Sequence, residues 1–120
     1  MANPNINSST IPVYAGSEGY AVTTSMTAFV SNSSNSNTVV HITNLMVANV
    51  DGVNAADITV ELFNGTTGYS YCKTLTVPAD ATQVVLARNG EVFLKEGYSL
   101  RAQASAAGDL EITWTEKRMG

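Results

Sequence analysis

The chain has 120 residues, the length of one domain, which supports one core but leaves little room for an elaborate buried active site as well. Its 6 Lys and Arg stand against 10 Asp and Glu, a formal net charge of -4, and no basic cluster exceeds Lys117-Arg118, so the positive stripe a nucleic-acid binder needs is missing. The single cysteine, Cys72, excludes an intrachain disulfide and a Cys-rich metal cage.

The opening stretch "MANPNINSST" is almost devoid of apolar residues, and residues 1–12 read as a flexible N-terminal arm ahead of one domain over 13–120. Ile6, Ile11 and Val13 are the apolar residues with which this arm could grip a partner. No basic segment leads into an apolar run there and the apolar runs elsewhere are short, so neither a recognisable export signal nor a membrane span is expected.

"AVTTSMTAFV" (21–30) alternates, with Val22, Met26, Ala28 and Val30 on one face, and predicts a half-buried strand; "SNSSNSN" (31–37) predicts a loop. "TVVHITNLMVANV" (38–50) is apolar on both faces in places, which suits a strand central in its sheet or one that edges an interface. It carries His41, the one histidine, which has no Cys or His companion in sequence and is read as a strand residue rather than a base or ligand. Around the connection "DGVNAAD" (51–57), Asn49, Asp51, Asn54 and Asp57 cluster. They lack the alternating ligands and closing Glu of a calcium loop and are read as turn formers, so no metal site is assigned.

"DITVELFNG" (57–65) has the cleanest two-residue period, with Ile58, Val60 and Leu62 inward, and ends in an Asn-Gly turn. In "YSYCKTLTV", Tyr69 and Tyr71 share a face with Lys73, Leu75 and Val77, and two readings stay open: packed tyrosines or an aromatic contact platform. Cys72 reads as a semi-buried strand residue and Pro78 as the strand's end. Strands follow over 81–90 and 91–97. "YSLRAQASAAGDLEITW" then reads as a hairpin whose Leu100, Ala102 and Ala104 face the strand of Leu110, Ile112 and Trp114.

About eight short strands and no helical stretch predict an all-β fold, an antiparallel β-sandwich of jelly-roll or Ig-like type. The carboxylates fall in turns or on outward strand positions, a single histidine leaves almost no possible triad, and no glycine-rich phosphate cradle opens a helix. The residues therefore predict neither an enzyme nor a cofactor.

The segments "TNLMVANVDGVNAADITVELFNG" and "LTVPADATQVVLARNGEVFLKEGYSLRAQASAAGDLEITWTEK" resemble small β-rich virion proteins of tailed bacteriophages, especially those of marine bacteria. Leu94, Glu96, Gly97, Ser99 and Leu100 match one part of the shared pattern, Leu110, Glu111 and Ile112 another, and "TTGYSYCKT" departs from it. The resemblance implies a virion structural protein with no catalytic residues. Its favoured role is a capsid decoration (cement) protein on the outer surface of the head, with the major capsid protein as partner and a homo-oligomeric state. A small tail or neck component and a carbohydrate- or host-surface-binding module are the alternatives. Ile6, Ile11, Val13, Tyr69 and Tyr71 are the candidate interface residues.

Overall fold

Period-2 patterning becomes strands throughout the computed structural model, which describes residues 13–87 and 90–120. Nine strands occur among the described residues: β1 Val13–Ala21, β2 Thr27–Ser31, β3 Val39–Asn49, β4 Ala56–Phe63, β5 Gly68–Val77, β6 Thr82–Val84, β7 Glu91–Leu94, β8 Ser99–Ala104 and β9 Leu110–Met119. All pairings are antiparallel. One sheet runs β1-β9-β3-β6, with β7 also on β3, and the other runs β2-β8-β4-β5. With β6 and β7 taken as two halves of one broken strand, this order is that of an eight-stranded jelly roll, which decides between the two sandwich types expected from sequence. The Ile6 and Ile11 expectations, like the arm itself, lie outside the described residues.

The core lies between the sheets. Ile58, Val60, Leu100, Ala102, Leu110, Ile112 and Trp114 are buried as expected, and Leu62 is partly buried against them. The two-faced pattern of β3 has a specific cause. A β-bulge between Thr43 and Met46, with Asn44 at φ 57°, shifts the alternation by one, so Val40 and Ile42 point inward before it and Leu45 and Val47 after it. The same bulge breaks the neighbouring strand. Leu45 O accepts from the N–H groups of both Val85 and Leu86 (2.9 and 3.0 Å), so the described residues of the expected 81–90 strand form only the short β6 before β7 resumes on the other side of the bulge.

Two further sequence expectations need correction, and one strand was not expected. Residues 99–114 do not form a hairpin, because β8 and β9 belong to opposite sheets. Leu100, Ala102 and Ala104 do meet the Leu110, Ile112 and Trp114 face, but across the sandwich, and two strands with inward faces satisfy the pattern as well from facing sheets as from one. Residues 21–30 are not one strand: the chain breaks after Ala21 and changes sheets before Thr27. Finally, β1 has no counterpart in the sequence reading, since nearly all of it is exposed and burial imposes no alternation on it.

Candidate interaction surfaces

One surface depression lies along β1 and β9 between Tyr14, Glu18, Glu116 and Arg118. No group of three or more His, Cys, Asp or Glu side chains among the described residues is placed to hold a metal ion. The chemistry on offer therefore belongs to faces and edges.

The outer face of the five-stranded sheet follows from strand register, since directly opposed residues share a face. Across β7, β3, β9 and β1, Phe93, His41, Lys117 and Ala15 lie in one row, and Glu91, Thr43, Thr115 and Ser17 in the next. Beyond the bulge, Val84, Met46, Thr113 and Gly19 form a third row, and Thr82, Ala48, Glu111 and Ala21 a fourth. The face is built mostly of small and β-branched residues, with one lysine and two glutamates among these sixteen positions. His41 stacks on Phe93 with ring centroids 4.5 Å apart, and its Nε2 sits 3.5 Å from Glu91 Oε1 without a hydrogen bond.

The outer face of the four-stranded sheet is more polar. Arg101 forms an ion pair with Glu61, its Nε donating to Oε1 at 2.8 Å, while its guanidinium lies 3.8 Å above the Phe63 ring centroid.

Of the candidate interface residues, Val13, Tyr69 and Tyr71 are described, and they lie on different strands. Val13 begins β1, at one edge of the five-stranded sheet, and Tyr69 and Tyr71 lie on β5, at one edge of the four-stranded sheet. Those edges are on opposite flanks: Tyr20 of β1 stacks on Phe29 of β2 (5.8 Å), whereas β5 approaches β6 through Gln83 Nε2 donating to Thr76 O (3.5 Å). Tyr69 and Tyr71 are 60% and 42% exposed. Register shifts in β5 disturb strict alternation, leaving Tyr69 opposite Leu62 and Cys72 opposite Val60. Tyr14, which the sequence reading passed over, is 71% exposed on an edge strand, where its position in a Gly- and Ser-containing segment gave no signal.

Burial pushes the Cys72 thiol above its ordinary pKa, partly offset by the Val60 backbone N–H, and burial likewise raises the Tyr71 phenol. The folded state therefore holds both protons more tightly. Its stability is complete below the unfolded-state values and falls as pH rises through the folded ones. Cys72 should accordingly react with iodoacetamide at pH 8 several-fold more slowly in the native protein than in denaturant, as followed by mass spectrometry. Equal rates would mean that the thiol is freely ionisable.

Several residues behind the phage resemblance help to build the fold, whereas Glu111 is exposed on the outer sheet face. Leu94 and Leu100 are core residues, and Gly97 takes φ 84°, a conformation glycine adopts without strain. The Gly97 N–H donates to Asn32 O (2.7 Å), the Asn32 N–H donates to Tyr98 O (2.9 Å), and Glu96 Oε2 accepts from the Asn37 N–H. The motif thus holds the β7–β8 turn against the loop after β2.

No protein-family model matches the chain, and no curated protein matches it. Among solved structures, it is similar to a protein of Bacillus endospore appendages, described as a family of disulfide-linked pili, with a TM-score of 0.54 and 11% identity over 98% of this chain and 95% of that one. It is also similar to a pentameric capsid protein isolated from metagenomic phage sequences, at a TM-score of 0.44 and 16% identity, covering 83% of this chain and 59% of that one. A second structure of a protein so described gives 0.43 and 15%, covering 83% and 63%. The chain thus spans about three fifths of the length of those capsid chains. The likeness to the appendage protein is one of fold.

Proposed function

We propose that the protein is a structural subunit of a bacteriophage virion, a decoration protein that attaches to the outer surface of the head and bridges neighbouring capsid subunits. The observation that carries this reading is the outer face of the five-stranded sheet. Four rows of mostly small and β-branched side chains with few charges can be desolvated cheaply against another protein. Fold alone does not carry a function, and jelly rolls serve lectins as well as capsids. The phage assignment rests on the sequence resemblance, and the arm over 1–12 supplies a second attachment in the proposal. Many copies make weak individual contacts sufficient, because each attachment raises the local concentration for the next.

Quantifying this protein against the major capsid protein in purified virions tests the reading. A copy number approaching that of the capsid subunits, with the protein removed from the head surface by mild denaturant, is expected. A small ring at the neck or tail would replace decoration with the tail-component reading. Specific binding of a glycan by the isolated protein, with no copies on the head, would replace it with host recognition.

A further inference from the structure

The sheet edges differ in how they are guarded. Native proteins blunt exposed edges by keeping them short, bulged or charged with lysine. β6 and β7 have three and four residues; β2 has five and a register shift between Ala28 and Val30. β5 is longer but twice shifted in register, carries Lys73 and has Thr74 at φ 49°. β1 has nine residues in unbroken register with β9, no proline, no lysine or arginine, and Glu18 as its one charge. Among the described residues nothing pairs with its outer side.

Hydrogen-bond parity shows what that edge offers. The Val22 N–H donates to Leu110 O (2.9 Å), and the Val50 N–H to Asp109 O (2.7 Å), so even-numbered positions of β9 bond toward β1 and odd ones toward β3. Tyr14, Gly16, Glu18 and Tyr20 therefore spend their backbone groups on β9, while Ala15, Ser17 and Gly19 turn theirs outward.

We propose that β1 is a self-pairing edge: β1 of a second copy adds antiparallel to it about a two-fold axis at Ser17, joining two five-stranded sheets into one. The occupant is a second copy because the strand complements itself. The register that uses all nine residues sets Ser17 against Ser17, Ala15 against Gly19 and Val13 against Ala21, with no bulky side chain among them. It sets exposed Tyr14 beside Tyr20 of the partner, an aromatic pair at a closely spaced position, and Glu18 against Gly16 rather than against the other Glu18. Gly16 supports the same conclusion. Among the described residues an added Cβ there would meet nothing within 4 Å, and its φ is not positive, so none of them calls for glycine at a strand position where glycine is unfavourable. The inference does not depend on the head assignment.

One strand pair buries less than a standard interface, so the dimer should depend on concentration. Sedimentation of the full chain across a concentration series is expected to show a monomer–dimer equilibrium. Ser17→Pro, which removes an outward N–H unused among the described residues, should abolish the dimer and leave the melting temperature nearly unchanged; Tyr14→Ala should weaken it several-fold. In a Cys72→Ser background, Ser17→Cys should give a covalent dimer on mild oxidation and Val53→Cys, on an exposed loop, should not. A chain that stays monomeric up to about 1 mM, a dimer indifferent to Ser17→Pro, or no cross-link through position 17 would overturn the proposal. An open-ended series of oligomers would overturn the two-fold register.

Discussion

Replacing Asn49 with leucine should lower the stability of the protein by about 3 kcal/mol, a large loss for a single polar side chain. Asn49 is 3% exposed at the end of β3. Its Nδ2 donates to Asn54 O and Val77 O, both at 2.9 Å, and its Oδ1 accepts from the Asp51 N–H at 2.9 Å. One side chain thus ties the β3–β4 loop to itself and to the end of β5. Leucine has a similar shape but abandons two carbonyls and an amide, and each buried polar group left unmatched costs about 1–3 kcal/mol. The sum is tempered because the loop-side groups can recover water. Denaturant unfolding should show a lower midpoint with an unchanged m-value, and the melting temperature should fall by roughly 10–15 °C. Asn49→Asp should also destabilise, since it keeps the acceptor for Asp51 but sets a carboxylate against two carbonyl oxygens. A loss below about 1 kcal/mol for the leucine variant would show that the amide is not a structural tie.

Trp114→Ala should remove about 3–5 kcal/mol, the range for deleting a large buried aromatic. Trp114 projects from β9 into the core and meets Phe29 of the opposite sheet edge-to-face, with centroids 5.0 Å apart and planes at 63°. Phe29 in turn stacks on Tyr20, so three aromatic rings close the β1/β2 flank of the sandwich. The indole Nε1 also donates to Glu116 Oε1 at 3.0 Å, and Glu116 Oε2 accepts from Arg118 Nε at 2.8 Å. Trp114→Phe keeps an aromatic and loses that hydrogen bond, so its cost should stay near 1–2 kcal/mol. Because Trp114 is the only tryptophan, unfolding of both variants is best followed by circular dichroism. Equal losses for the two substitutions would place the energy in the hydrogen bond rather than in the packing.

Asn32 repeats the arrangement of Asn49 just beyond the end of β2. Its Nδ2 donates to Thr38 O and Leu94 O, both at 2.9 Å, and its Oδ1 accepts from Ser36 Oγ (2.6 Å) and Thr38 Oγ1 (3.1 Å). Sequence reasoning placed both asparagines among turn-forming polar residues. Asp51 is such a residue, its Oδ1 accepting from the Val53 and Asn54 N–H groups, which lower the pKa of its carboxyl. Nothing local separates Asn49 from Asp51, because the partners that make Asn49 a buried tie lie partly in a strand 28 residues away.

What the sequence by itself determined is the fold class, most strand positions and the inward faces of β4, β8 and β9. Burial of one sheet face imposes a period of two that can be read without knowing the partner strand. The tertiary structure alone decided which strands share a sheet. Inward-facing residues look the same whether their partner is a neighbour or lies across the core, and so β8 and β9 read as a hairpin. It also decided the parity switch in β3, since an apolar pattern on both faces reads equally well as a strand buried on both sides as it does as a bulge. The interaction surfaces divide in the same way. The exposed tyrosines were legible as residues, but β1 was not legible as a strand, because it is held by backbone hydrogen bonds to β9, and those bonds write no side-chain pattern into the sequence.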